Sequence, residues 1–216
     1  MLGVGFDELY DTWTIKESSH FIFHFQDIAS VGDVASYIMQ KEKAFDLINN
    51  FFKVKLPKKI DYFVWNDLKK GEVLLKTPLA FTEPPLCLTH TSIANTLGHE
   101  MTHSISYFAA KPIKKKYLIS EGVCVYFDLT KRDKVAQLKN INHSKYSIID
   151  VWKGKLRVGN DIIYPLGGEL VKRLIESFGR EKFLQLLADQ SYENARNLYG
   201  EKLDDLISGL QKDIRR

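Results

Sequence analysis

Between Thr91 and Phe108, the apolar residues Ile93, Leu97, Met101, Ile105 and Phe108 recur at helical spacing, and His99 and His103 stand four residues apart inside that run. A helix turns about 100° per residue, so positions i and i+4 return to nearly the same face, one turn apart. The pattern predicts a helix from Thr91 onward, with Thr91 or Ser92 as its N-cap. It also commits both imidazoles to one side of that helix. Few other features of the chain constrain its folding so narrowly.

The five residues His99-Glu100-Met101-Thr102-His103 read H-E-x-x-H. Two neutral imidazoles placed this way can bind one Zn²⁺ as adjacent tetrahedral ligands. Glu100 lies about 100° around the helix from His99, which puts it beside the water that the metal activates and not on the metal. A carboxylate in that position can accept a proton from the water and later pass it to a leaving amine. His99 and His103 are therefore the candidate metal ligands, and Glu100 the candidate general base.

A third ligand has to come from elsewhere. Metzincins place it in the pattern H-E-x-x-H-x-x-G-x-x-H, but here Ser106 and Ala109 occupy the Gly and third His positions. Downstream, Leu118 to Phe127 read LISEGVCVYF, after a break that contains Pro112 and a run of lysines. A helix, a turn and a returning helix would bring Glu121 opposite the two histidines. Asp128, two turns further along the same face, and His143 are the other candidate ligands. Asp128 could instead support a ligand from behind. The chain has only two cysteines, Cys87 and Cys124, which excludes a disulfide framework or an all-cysteine zinc site. Cys124, three residues after Glu121, reads as a small buried thiol.

With Glu121 in place, the chain resembles the gluzincin superfamily, in which a Glu on the following helix is the third ligand. Tyr117-Leu118-Ile119-Ser120-Glu121-Gly122-Val123-Cys124-Val125-Tyr126 is similar to the W-L-x-E-G-x-A-x-Y pattern of small bacterial peptidases of the peptidase MA-like group. Tyr117 stands for the Trp and Cys124 for the Ala. Further on, Tyr164-Pro165-Leu166-Gly167-Gly168-Glu169 resembles the Y-x-x-G segment of aminopeptidase N-type members. The resemblance implies a zinc-dependent peptidase with a zincin-like fold, Zn²⁺ as cofactor and a peptide or protein substrate. It implies His99, His103 and Glu121 as ligands, Glu100 as base, and Tyr164 as hydrogen-bond donor to the oxyanion of the tetrahedral intermediate. The chemistry itself calls for such a donor, because charge builds on the carbonyl oxygen as water attacks. Tyr126 and His143 are competing donors.

The resemblance spans about residues 58–190 and has gaps. No G-x-M-E-N segment, which anchors a substrate's free amine in the aminopeptidases, precedes His99. Val125 stands where thermolysin-like members carry an Asp that steadies a histidine. A non-catalytic zinc-binding or scaffolding module on the same fold is the alternative reading.

The rest of the chain sets the fold class. His20 to Gln26, with Phe21, Phe23 and Phe25 alternating, predicts a strand whose histidines His20 and His24 face solvent. Val34, Ile38, Phe45, Ile48 and Phe52 predict a helix from Asp33, its cap, to Phe52. Ile60 to Trp65 reads as a second strand. Leu79 to Leu88, interrupted by Pro84 and Pro85, suits an edge strand or loop, and His90 a turn. Helices are expected at about 120–127, 164–178, 181–188 and 201–214, with Gly179 ending the second of these; residues 131–163 give no clear pattern. The expectation is α+β: a small N-terminal mixed β-sheet with a helix over about 1–90, a mainly helical lobe over about 91–216, and the active-site helix between them, as a single catalytic domain over 1–216.

A length of 216 residues is enough to bury a sizeable core. Thirty-one Lys and Arg against 27 Asp and Glu leave a formal charge of +4, spread along the chain. That dispersion gives little ground for a nucleic-acid partner, and Lys111 to Lys116 reads as a solvated loop. Mean hydropathy is −0.22, and no apolar run approaches the ~18 residues of a membrane span. The N-terminal residues lack the basic start and apolar stretch of a signal peptide. If Met1 is the native start, a cytoplasmic protein is expected; if a leader was removed, an exported one. Oligomeric state has no signature in the sequence.

Overall fold

The computed structural model describes residues 10–94, 96–130, 133–139 and 147–215. It is a mixed α/β structure, and backbone contacts divide it into two compact units, residues 1–108 and 109–216.

The first unit is built on five strands: β1 (Thr14–Glu17), β2 (Phe21–Phe25), β3 (Ile60–Trp65), β4 (Phe81–Glu83) and β5 (Leu88–Ser92). Their order in the sheet is β1-β2-β3-β5-β4. The three inner strands run parallel, and β1 and β4 pair antiparallel at the two edges. Helix α1 (Val34–Phe52) connects β2 to β3. Its first turn is capped as expected: the Asp33 carboxylate accepts from the Ser36 N–H at 2.9 Å. The alternation of Phe21, Phe23 and Phe25 puts all three rings on one face, where Phe21 and Phe23 meet Tyr62, Phe25 meets Tyr37, and Phe45 of α1 packs edge-on against Phe21. Ala44, Ile48 and Phe52 complete the buried stripe of α1.

The other face of the sheet is different. Trp13, Phe63, Trp65 and Leu88 form its core, with Tyr10, Leu74, Leu75 and Leu79 against them. Helix α2 (Leu68–Leu75) lies so close that a Cβ on Gly71 would meet the Trp65 ring at 2.9 Å. Across this face four rings stack in a row, one from each of β2, β3, β5 and β4: His24, Phe63, His90 and Phe81, with centroid separations of 4.2, 4.5 and 5.1 Å. Three expectations are corrected here. His24 is not a solvent-facing residue, since it stacks on Phe63 and lies 3.3 Å from Asp61. His90 is not a turn residue, since it sits fully buried in an inner strand. His20, also assigned to solvent, lies flat on Phe45 and bonds Glu42 at 2.6 Å.

Helix α3 (His99–Ala110) starts later than the apolar stripe suggests. Residues 88–92 pair with β3 and β4 instead, so Thr91 and Ser92 end a strand and do not cap a helix. The sheet takes them because β5 is an inner strand and its backbone groups must be paired. Pro84 and Pro85 form a short 3-10 turn between β4 and β5, where missing N–H groups do no harm.

The second unit is helical: α4 (Tyr117–Phe127), α5 (Lys134–Lys139), α6 (Ile148–Lys153), α7 (Asn160–Ala188), α8 (Tyr192–Tyr199) and α9 (Lys202–Asp213). Gly179, at φ 79°, interrupts α7 where the sequence pattern ends one helix and begins the next. Leu166, Leu170, Leu174, Phe183, Leu186, Leu203, Ile207 and Leu210 form the core. The tightest contact is between α4 and α7. A Cβ on Gly122 would lie 2.5 Å from the Gly167 carbonyl oxygen, so only two glycines allow the backbones to come this close. Trp152 of α6 donates its indole N–H to Gln190 O at 2.8 Å, and Arg173 of α7 bridges Glu169 and Asp213. No described helix is long and apolar enough to cross a membrane.

Candidate metal centre and general base

His99, Glu100 and His103 lie in the first two turns of α3. The Gly98 carbonyl opens the helix, accepting from the Thr102 N–H at 3.0 Å and the Thr102 hydroxyl at 2.8 Å. Just upstream, the buried Lys41 of α1 donates its ammonium to Thr96 O at 3.2 Å, which fastens the loop that leads into α3. The same ammonium lies over the rings of Tyr37 and Tyr62.

The one-turn spacing has the consequence expected of it. The imidazoles of His99 and His103 are neighbours, with centroids 5.2 Å apart and planes at 77°. His99 is largely buried and His103 partly so. Two imidazoles edge to face, with restricted access to water, are suited to share one ion as adjacent ligands.

Glu100 is buried too, at 8% exposure, although it is a carboxylate. Its Oε2 accepts a hydrogen bond from the Thr82 hydroxyl at 2.9 Å. Thr82 is the central residue of edge strand β4, opposite Thr89 of β5. The buried Tyr62 phenol is pushed above its ordinary range by desolvation first, and then by the nearby Glu100 charge. Thr82, Thr89 and Tyr62 were not foreseen. Nothing in the sequence distinguishes a threonine in a three-residue strand from any other.

In the second unit, Glu121 and Cys124 lie on α4, both buried. The helix starts at Tyr117, earlier than expected, so Glu121 falls in its second turn. Gly122, beside Glu121, makes the close backbone contact with α7, which fixes the rotation of α4 about its own axis. Tyr164 lies a full turn inside α7 and not at its opening. Asp128 follows the last residue of α4, where its carboxylate accepts from the Thr130 N–H at 3.2 Å. His143 lies outside the described residues.

Among the described residues, His99 and His103 set two imidazoles side by side, able to hold a metal ion together with further ligands. Two imidazoles with a thiolate or a carboxylate suit Zn²⁺ by donor chemistry. In comparisons with known proteins, the chain matches no family model and no curated protein.

Proposed function

We propose that this chain is a zinc-dependent peptidase of the gluzincin type. His99, His103 and Glu121 hold the metal, Glu100 is the general base, and Tyr164 stabilises the oxyanion. The observation that carries the reading is the combination on α3: paired imidazoles one turn apart and, between them in sequence, a buried carboxylate with its own hydrogen-bond donor. A helix that needed these residues only for packing has no use for a desolvated carboxylate, which costs free energy unless it is partnered.

Zinc bound there supplies Lewis acidity to the attacking water and the scissile carbonyl. Glu100 takes the proton from that water and delivers it to the departing amine nitrogen as the C–N bond breaks.

A second reading, a non-catalytic metal-binding module, takes the thiol of Cys124 as the donor that joins the two histidines. Metal analysis of the purified protein, followed by cleavage of a peptide library with mass-spectrometric mapping of the cut sites, tests the first reading. Stoichiometric zinc and defined cuts support it; a protein that takes up no divalent metal overturns both. Glu121→Gln and Cys124→Ser then separate them. The peptidase reading expects zinc affinity to fall at least tenfold in Glu121→Gln and to hold in Cys124→Ser; the reverse result favours the module.

A further inference from the structure

We propose that Thr82 is a positioning residue for Glu100, holding one carboxylate oxygen so that the other is presented for proton transfer; this rests on the peptidase reading above. Thr82 Oγ1 has three oxygens in reach: Glu100 Oε2 at 2.9 Å, Thr89 Oγ1 at 3.1 Å and Glu100 O at 3.2 Å. A hydroxyl has one proton to give. An ionised carboxylate is the strongest acceptor of the three, and its contact is the shortest. Thr89, fully buried and directly opposite on β5, then donates its own proton to Thr82. The result is a relay, Thr89 to Thr82 to Glu100, in which each bond strengthens the next.

The relay addresses a mechanical difficulty. A glutamate has three side-chain torsions, and fixing them costs entropy each time the base is used. With Oε2 bonded to a residue of the sheet, that cost falls within folding and is not incurred at the moment of reaction. Oε1 has no hydrogen-bond partner among the described residues. A purely structural link between β4 and α3 would need only the contact with the Glu100 carbonyl.

Thr82→Val keeps the shape and removes the hydroxyl, and Thr82→Ser keeps the hydroxyl. In the metal-free full chain, labelled with ¹³C at glutamate carboxyls and assigned with Glu100→Gln, the Glu100 resonance should move in Thr82→Val and stay in place in Thr82→Ser. On the best library peptide, with equal zinc content, kcat should fall about tenfold in Thr82→Val at unchanged KM and recover in Thr82→Ser. An unmoved resonance, an unchanged kcat, or a loss that serine does not repair would overturn the proposal. A wild-type protein that cleaves no peptide removes the reaction and the role together. An active wild type with an indifferent Thr82→Val removes the role alone.

Discussion

The two units place their candidate side chains by different means. In the first, the Glu100 carboxylate is held by the Thr82 hydroxyl of a sheet edge, and the loop before it by a buried ammonium. In the second, the backbone beside Glu121 is set by steric apposition, because Gly122 leaves no room between α4 and α7 for a side chain of its own. A polar tether can be weakened by degrees and responds to protons. A backbone contact either fits or does not. The first unit buries Lys41, Thr89, His90, Thr91, His99 and Glu100; the second buries Glu121, Glu169, Gln190 and Ser191 within a core of apolar side chains such as Leu170, Leu174 and Phe183.

The largest effect should come from the tethered group itself. Glu100→Gln keeps the size and burial of the side chain but cannot take a proton. Peptide cleavage should drop by roughly 10²-fold or more at unchanged zinc content, measured by metal analysis and steady-state kinetics on one sample. Retained activity would remove Glu100 from the mechanism.

The steric contact is tested next. Gly122→Ala forces the α4 and α7 backbones apart and should cost about 1–3 kcal/mol in urea unfolding. Since the strain is all in the backbone, Gly122→Ser should do no better. A neutral Gly122→Ala would mean that the helices yield as easily as the tether, and the contrast between the units would fail.

The polar interior of the first unit should show a dependence on pH that traces to one buried ring. His90 accepts from the Trp65 indole at 2.9 Å, and burial, helped by nearby His24, pushes its pKa down to about 3. In the unfolded chain a histidine titrates near 6.5. Between those values the unfolded state binds the extra proton, so stability rises with pH and is lost as pH falls from about 6.5 toward 3. The slope from this group approaches 1.4 kcal/mol per pH unit. Urea titrations at pH 4–6 should show a shallower slope in His90→Phe, which keeps a ring in the stack. An equal slope in both proteins would assign the dependence elsewhere. The smallest effect is at the cap of α1, where Asp33→Ala should cost about 1 kcal/mol and leave cleavage unchanged.

The same contrast explains how much the sequence reveals. Helix α1, strands β2 and β3 and the last helix follow apolar periodicities and fall close to where these predict. The H-E-x-x-H spacing needs only a helix to become geometry, and α3 supplies it. Strand β5 is missed because Leu-Thr-His-Thr-Ser has no apolar alternation; its polar side chains are buried by the sheet around them, and pattern reading cannot see that environment. Helix α8 is missed because Tyr192, Ala195 and Tyr199 are its only buried residues. Thr82 is invisible for a similar reason, since its partner is eighteen residues away and meets it only through strand pairing.

Strand β4 is three residues long and runs straight into Pro84 and Pro85. An open sheet edge is adhesive toward any extended chain, including a second molecule of the same protein. The two prolines cap this one after a few hydrogen bonds. On the proposed peptidase reading, a visiting peptide would be gripped but not zipped in, and release after cutting would follow from the length of the strand. The same brevity denies fibril-like stacking a template, so the segment proposed to receive peptides would offer little to a second copy of the chain.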